Sequence, residues 1–328
     1  MSDKATGTGR RGGFWLRLSE RSELGIAIPL VLLIGIVGIV NPVFFDLDNI
    51  FNVLRQSSFT FIIGLAMTFV LVGGGLDLSV GSVLALGGVI SGLALLAGIP
   101  IWISVLLGVL AGALVGLFNG FVIAVFKIPS LIVTLGMMYF ARGVVQVLTR
   151  GNPVYPLPEA FNFLGQGFIA GVPVVVLVAA LLGIVTHVVL TQTAYGRSVF
   201  ALGGNRETAR LSGINVQRIT IWIYMICGAA AGLTGVLTAA RLASALSNAG
   251  TGMELQVIAG CIIGGTSMFG GSGSILGTLI GVAFMNIIAN GMVLMKISVY
   301  YQSMVIGAII ILAVGIDQYN RKRRGMLG

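Results

Sequence analysis

Charge is what this chain lacks. Of its 328 residues only 9% are charged, with 10 acidic side chains and a single histidine, His187. A water-soluble domain carries roughly a quarter of its residues as Asp, Glu, Lys and Arg, so this chain cannot clothe a water-facing surface of its size. Cysteine is nearly absent too. Cys227 and Cys261 both lie inside apolar runs, which gives no disulfide framework and no metal spacing and reads them as small packing residues. There is no Gly-Lys dipeptide, hence no Walker phosphate loop, and neither His-Glu-x-x-His nor Gly-x-Ser-x-Gly occurs. The chain has no visible way to hydrolyse ATP, no catalytic constellation, and no cofactor or metal that it would hold itself. Its apolar runs contain too few ionisable groups for a proton relay. A sodium site, which needs no carboxylate, stays open.

What is present is 57% hydrophobic residues, a mean hydropathy of +1.05 and 49 glycines. Continuous apolar runs of about 20 residues predict membrane-crossing helices; barrel strands would alternate. Glycine in such helices lets backbones approach closely. The expected fold class is all-α, a polytopic integral membrane protein of about ten spans. They fall near 23–40, 59–71, 83–97, 102–126, 131–148, 168–190, 219–240, 255–263, 275–289 and 302–316. The amphipathic stretch 41–58 reads as an interfacial helix or the start of the second span. The Gly-rich stretches 73–75 and 264–274 interrupt the pattern and are candidates for re-entrant segments.

The net charge of +9 is concentrated in three places: the N-terminal tail 1–22, residues 197–218, and the C-terminal tail 317–328. Membrane topology explains these basic residues better than nucleic acid does. Putting all three in the cytosol needs an even number of spans between each pair. Six spans before the central segment and four after it satisfy this. Both termini are then cytosolic, and the proline-containing loop 149–166 lies outside. The membrane domain is 23–316.

Two short runs recur. Gly81-Ser82-Val83-Leu84 returns as Gly273-Ser274-Ile275-Leu276, and Asn119-Gly120 before Lys127-Ile128 returns as Asn290-Gly291 before Lys296-Ile297. An internal duplication would place a translocation path between the halves. Candidate path residues are Asp77 and Ser79 beside the Gly73-Gly74-Gly75 triplet, Asn119, Arg142 inside the fifth span, and Asn290. The bland alternatives are a solvated or helix-capping Asp77 and an Arg142 that snorkels to the interface. Arg241 and Glu254 read as flanking a solvated loop.

The long polar segment inside the apolar chain is Arg197–Gly213. Gly203 and Gly204 read as a helix break, Asn205 as the N-cap of a short helix, Glu207 and Arg210 as matched to its dipole. Ala209 and Gly213 are small enough to sit in a cleft of a partner.

Several motifs carry a family resemblance. Asn41-Pro42 with Phe44-Phe45 and Asn49-Ile50, Gly75-Leu76-Asp77-Leu78-Ser79-Val80-Gly81-Ser82, and Thr134-Leu135-Gly136-Met137 with Arg142-Gly143 are three of them. Ala201-Leu202-Gly203-Gly204-Asn205 with Ala209-Arg210-Leu211-Ser212-Gly213-Ile214, and Gly264-Gly265-Thr266-Ser267 with Gly270-Gly271 and Gly273, complete the set. Together they resemble the permeases of bacterial sugar ABC importers of the ribose-permease type, within the branched-chain amino acid/sugar permease superfamily.

The resemblance spans about residues 40–317 and implies a multi-pass protein of the bacterial inner membrane. It implies a second permease subunit (an identical copy or a paralogue), a periplasmic sugar-binding protein outside, and a cytosolic ABC ATPase that uses ATP and Mg. It implies import of a monosaccharide or similar small polyol by alternating access. Residues 191–218 would be the coupling segment, with Gly203, Gly204, Asn205, Ala209, Arg210, Leu211 and Gly213 gripped by the ATPase. From the residues alone, an ion-coupled or passive channel with broken helices, or a membrane scaffold, stays open.

Overall fold

The structure is a computed structural model that describes residues 22–323. Of the expected tails 1–22 and 317–328, residues 1–21 and 324–328 lie outside those residues, and 317–323 continue the last helix. The chain runs through α1 (Ser22–Val40), a 3-10 turn (Pro42–Phe45), α2 (Leu47–Val72), α3 (Val80–Leu96), α4 (Ile101–Phe126), α5 (Ser130–Thr149) and α6 (Glu159–Gln166). A two-stranded antiparallel hairpin, β1 (Phe168–Ile169) and β2 (Val172–Pro173), leads into α7 (Val174–Gln192), then α8 (Ala194–Gly204), α9 (Arg206–Leu211) and α10 (Val216–Leu242). The last helices are α11 (Met253–Ile263), α12 (Ile275–Leu294) and α13 (Val299–Arg323).

Each expected span has a helix, and six of these (α2, α4, α5, α7, α10 and α12) are long and apolar enough to cross a membrane. The eighth is a half-span. α11 has 11 residues, about 16 Å at 1.5 Å per residue, against an apolar layer of ~30 Å. The stretch 41–58 is not a separate interfacial helix. After the 3-10 turn, whose N-cap Asn41 accepts from the Val43 amide, its remainder forms the first turns of α2. The loop 149–166 contains the short helix α6.

The core is built on glycine. α4 carries Gly108, Gly112, Gly116 and Gly120 at four-residue spacing, one stripe of the helix surface. That stripe lies antiparallel on α10. A Cβ on Gly112 would collide with the Gly228 carbonyl, one on Gly116 with the Tyr224 carbonyl, and one on Gly228 with the Gly112 carbonyl. α3 closes the third side, with Gly87 against Gly232 and Gly88 against Gly235. Inside lipid no hydrophobic force pushes helices together, so backbone-close dispersion contact must do it. A second knot joins α2, α11 and α12. Thr68 and Thr278 share a hydrogen bond of 2.6 Å, Thr68 donates to the Gly64 carbonyl, and the Cys261 thiol donates to that carbonyl at 3.6 Å.

The recurring motifs divide. Gly81-Ser82 and Gly273-Ser274 both stand where a helix restarts after a Gly-rich break, at α3 and α12. The asparagine–lysine pairs do not correspond. Lys127 ends α4 beside Arg206, whereas Lys296 follows α12, whose Leu294 carbonyl accepts from Asn41 at the opposite end of the bundle.

Gly112→Val is expected to destabilise the detergent-solubilised protein by at least ~2 kcal/mol, as overpacking against backbone leaves nothing to repack. Gly136→Ala on α5, where an added Cβ meets nothing within 4 Å, should leave the thermal midpoint unchanged. Equal midpoints for both variants would contradict this account of the core.

Candidate functional site

Between α2 and α3 the chain makes an elbow. Gly73 and Gly74 turn, and residues 75–79 run without regular structure into the bundle. Backbone groups in this apolar setting need internal partners. The Leu76 amide donates to Ser130 Oγ at 3.2 Å, and its carbonyl accepts from Tyr224 Oη at 3.1 Å. Asp77, 1% exposed, accepts from the Ser79 amide at 2.9 Å and from the Ser79 hydroxyl at 2.6 Å. The same hydroxyl accepts from Asn119 Nδ2 at 3.1 Å. Asp77, Ser79 and Asn119 thus form one buried polar group. Asp77 is neither solvated nor a helix cap: it closes a local turn, while the N-cap of α3 is Ser79. Asn119 Oδ1 is buried and has no partner. Tyr224 and Ser130 escaped the sequence reading. The available signal was a tyrosine hydroxyl inside an apolar span, which requires an acceptor.

A second re-entrant segment follows α10. Residues 243–252 turn back beside α3 as far as its first turn, where the Gly250 carbonyl abuts Gly81. The segment is held by Arg142. One guanidinium nitrogen donates to the Ser247 carbonyl at 2.8 Å and to the Ala249 carbonyl at 2.9 Å. Val154 and Ala245 add a pair of backbone hydrogen bonds. Arg142 therefore neither snorkels nor pairs with Asp77. It satisfies carbonyls that would otherwise face apolar surroundings, with Glu254 close enough to act on it electrostatically. Arg241 and Glu254 are half-buried rather than solvated, because this loop folds inward. Asn290 lies apart from the other four path candidates. It exchanges two hydrogen bonds with Asn49, at 2.8 and 3.2 Å, and so ties α12 to the start of α2.

At the bundle end where α2 stops, α8 and α9 form a polar helical corner. Asn205 ends α8 and caps α9, its Oδ1 accepting from the Thr208 amide at 2.9 Å. The break is at Asn205, not at Gly203 and Gly204, which are the last residues of α8. Gly203 is pressed onto backbone: a Cβ there would collide with the Val72 carbonyl and crowd the Gly271 amide. Gly271 itself donates to the Val72 carbonyl at 2.9 Å. A Cβ on Gly204 would meet nothing within 4 Å. Gly213 turns the chain with φ +82°.

Ala209 faces its own bundle at 3% exposure, so it does not offer itself to a cleft, whereas Leu211 is 74% exposed. Arg210 grips Glu207 with two hydrogen bonds, of 2.6 and 3.1 Å. That contact holds the Glu207 carboxyl below its usual range and pushes Arg210 up. An exposed pair of this kind adds little to stability. Beside the corner, Gly73–Gly75, Lys127–Ser130, Arg206 and Tyr224 surround a cavity of ≈480 Å³.

Asp77→Asn keeps an acceptor for Ser79 and is expected to preserve the fold. Asp77→Leu strands the Ser79 donors and should cost ~1–3 kcal/mol, and Arg142→Leu, which strands two carbonyls, a similar ~1–3 kcal/mol. Thermal unfolding in detergent measures all three. A loss for Asp77→Asn as large as for Asp77→Leu would show that the charge, not the hydrogen bonds, holds the elbow.

Residues 49–314 match the family model described as branched-chain amino acid transport system / permease component. The ribose import permease RbsC of Escherichia coli K12 is 40% identical over 324 residues, 97% of this chain and 99% of the relative. The RbsC protein of Haemophilus influenzae is 39% identical over 296 residues, covering 89% of this chain and 92% of that protein. The D-allose transport system permease AlsC of Escherichia coli K12 is 37% identical over 299 residues, covering 90% and 91%. No solved structure matches. With six helices among the described residues long and apolar enough to span a bilayer, two breaks that fold into the bundle and this breadth of match, the chain belongs to the branched-chain amino acid transport system / permease component family, among permeases of the ribose type.

Proposed function

We propose that this chain is the membrane-spanning permease of an ATP-driven importer and that it passes a monosaccharide or similar small polyol inward by alternating access. It works with a second permease subunit, a periplasmic sugar-binding protein and a cytosolic ABC ATPase, in a bacterial inner membrane, with both termini cytosolic. The observation that carries this reading, beyond family membership, is the seating of the α8–α9 corner. Gly203 rests on the backbone at Val72 and Gly271 with no side chain between, so a displacement of the corner reaches both Gly-rich breaks directly.

An importer driven from outside its own chain needs such a lever, because a partner's nucleotide cycle acts on the spans only through contacts that differ between two states. In this reading 191–218 is the coupling segment. Leu211 and Arg210 are the outward groups, apolar and planar-cationic, and Gly203, Gly204, Asn205, Ala209 and Gly213 shape the corner from within.

Arg210→Glu and Leu211→Asp should each reduce ATPase retention in pull-down and lower uptake by about tenfold or more, the effect of losing an interface hot spot of ~1.4 kcal/mol or more, with normal membrane insertion. Gly203→Val should abolish uptake; Gly204→Ala should not. Reporters fused near Pro156 and Asn205 should read periplasmic and cytosolic. Full retention and uptake in the Arg210 and Leu211 variants would sink the coupling role.

A further inference from the structure

At the end of the bundle opposite the α8–α9 corner, α2, α10, α11, α13 and the 243–252 segment enclose a cavity of ≈470 Å³, a size typical of small-molecule sites at ~300–1,000 Å³. Its wall is polar for so oily a chain: Gln56, Arg241, Thr251, Gln256 and Gln302 meet there, with Phe59. Arg241 lies over the Phe59 ring, 5.6 Å from its centroid, and makes a long bond of 3.4 Å to Asn52 Oδ1. Its Nη1 is buried without a partner, and so is Nε2 of Gln302. Gln256 is already engaged, donating to Asn286 Oδ1 at 3.2 Å. Buried donors without acceptors are unfavourable and rare in native proteins. Two on the wall of one cavity point to an acceptor that arrives from elsewhere.

The lining also limits what that visitor can be. None of the described lining residues is acidic, so the ammonium of a zwitterionic amino acid would find no counter-ion there. Hydroxyl groups, which both donate and accept, match carboxamides and a guanidinium. We propose that this cavity is a transit site for a neutral polyhydroxylated solute, held by Gln56, Gln302 and Arg241. The proposal rests on the reading of the chain as a sugar permease and adds where along the chain the sugar is held.

The test uses the complete transporter, reconstituted with its ATPase and binding protein, and radiolabelled D-ribose, L-arabinose and D-allose. Gln302→Leu and Gln56→Leu should each lower maximal uptake by about tenfold, as expected for about one lost hydrogen bond, while ATP hydrolysis stimulated by the loaded binding protein stays at the wild-type level. Gln146→Leu, on α5 and outside the cavity, should leave uptake unchanged. As a second measurement, Gln302→Cys should react with a membrane-impermeant thiol reagent, and a transported sugar should slow the reaction. The native Cys227 and Cys261 are buried and stay silent.

Wild-type uptake by both leucine variants, an equal loss for Gln146→Leu, or labelling indifferent to every transported sugar overturns the site alone. A wild-type transporter that carries neither these three sugars nor any other member of a monosaccharide and polyol panel overturns the functional reading, and the site with it.

Discussion

The contact on which the rest of the molecule depends is the one between the backbones of α4 and α10. Two helices meeting through glycine approach until peptide touches peptide, and in lipid that proximity, rather than expulsion from water, is the source of attraction. α3 is seated on the same surface through Gly87 and Gly88. Once α10 is fixed, Tyr224 is fixed, and with it the carbonyl of Leu76. The first elbow is therefore positioned by a helix nearly 150 residues away in sequence, and its irregular backbone inherits its geometry from the glycine stripe.

Broken helices in a membrane set a second constraint: every peptide group that leaves a helix needs a partner inside the protein. The two elbows meet it differently. Residues 75–79 use side chains that are close at hand: the Ser130 and Tyr224 hydroxyls serve the Leu76 peptide groups, and the Asp77 carboxyl accepts from the Ser79 amide. Residues 243–252 use a cation, Arg142, whose single nitrogen serves two carbonyls. A charge placed in a span for structural reasons resembles, in sequence, a charge placed there for transport, and only the identity of its acceptors separates the two.

That ambiguity explains which parts of the protein were legible beforehand. Hydropathy and glycine spacing determine the class, the ten helix positions and the Gly-rich breaks, because each depends on local composition. Asn205 as a cap was readable for the same reason. The half-length of α11 was partly visible in its short apolar run. The inward fold of 243–252 was not, because small polar residues such as Ser247 and Asn248 look the same in a solvated loop as in one pinned by a distant arginine. Asp77, Ser79 and Asn119 were marked individually, but their assembly into one hydrogen-bonded group depends on the α3–α4 packing. Asn290 was misgrouped with them because a two-residue match to Asn119-Gly120 carries no information about which end of the bundle it occupies. Ala209 was expected to face outward; the helical phase of α9, which turns Leu211 out, turns it in.

The seating of Gly203 has a mechanical meaning. Side chains cushion: they change rotamer, and a displacement entering one side of a packed interface is partly absorbed before it leaves the other. Where the Gly203 peptide bears on Val72 and Gly271 there is no rotamer to change. The joint is stiff in compression and has almost no backlash. In the coupling role proposed above, a push on α8 reaches the end of α2 and the 264–274 turn through backbone alone. The same contact joins the two Gly-rich breaks, since the Val72 carbonyl that Gly203 bears on also accepts from the Gly271 amide.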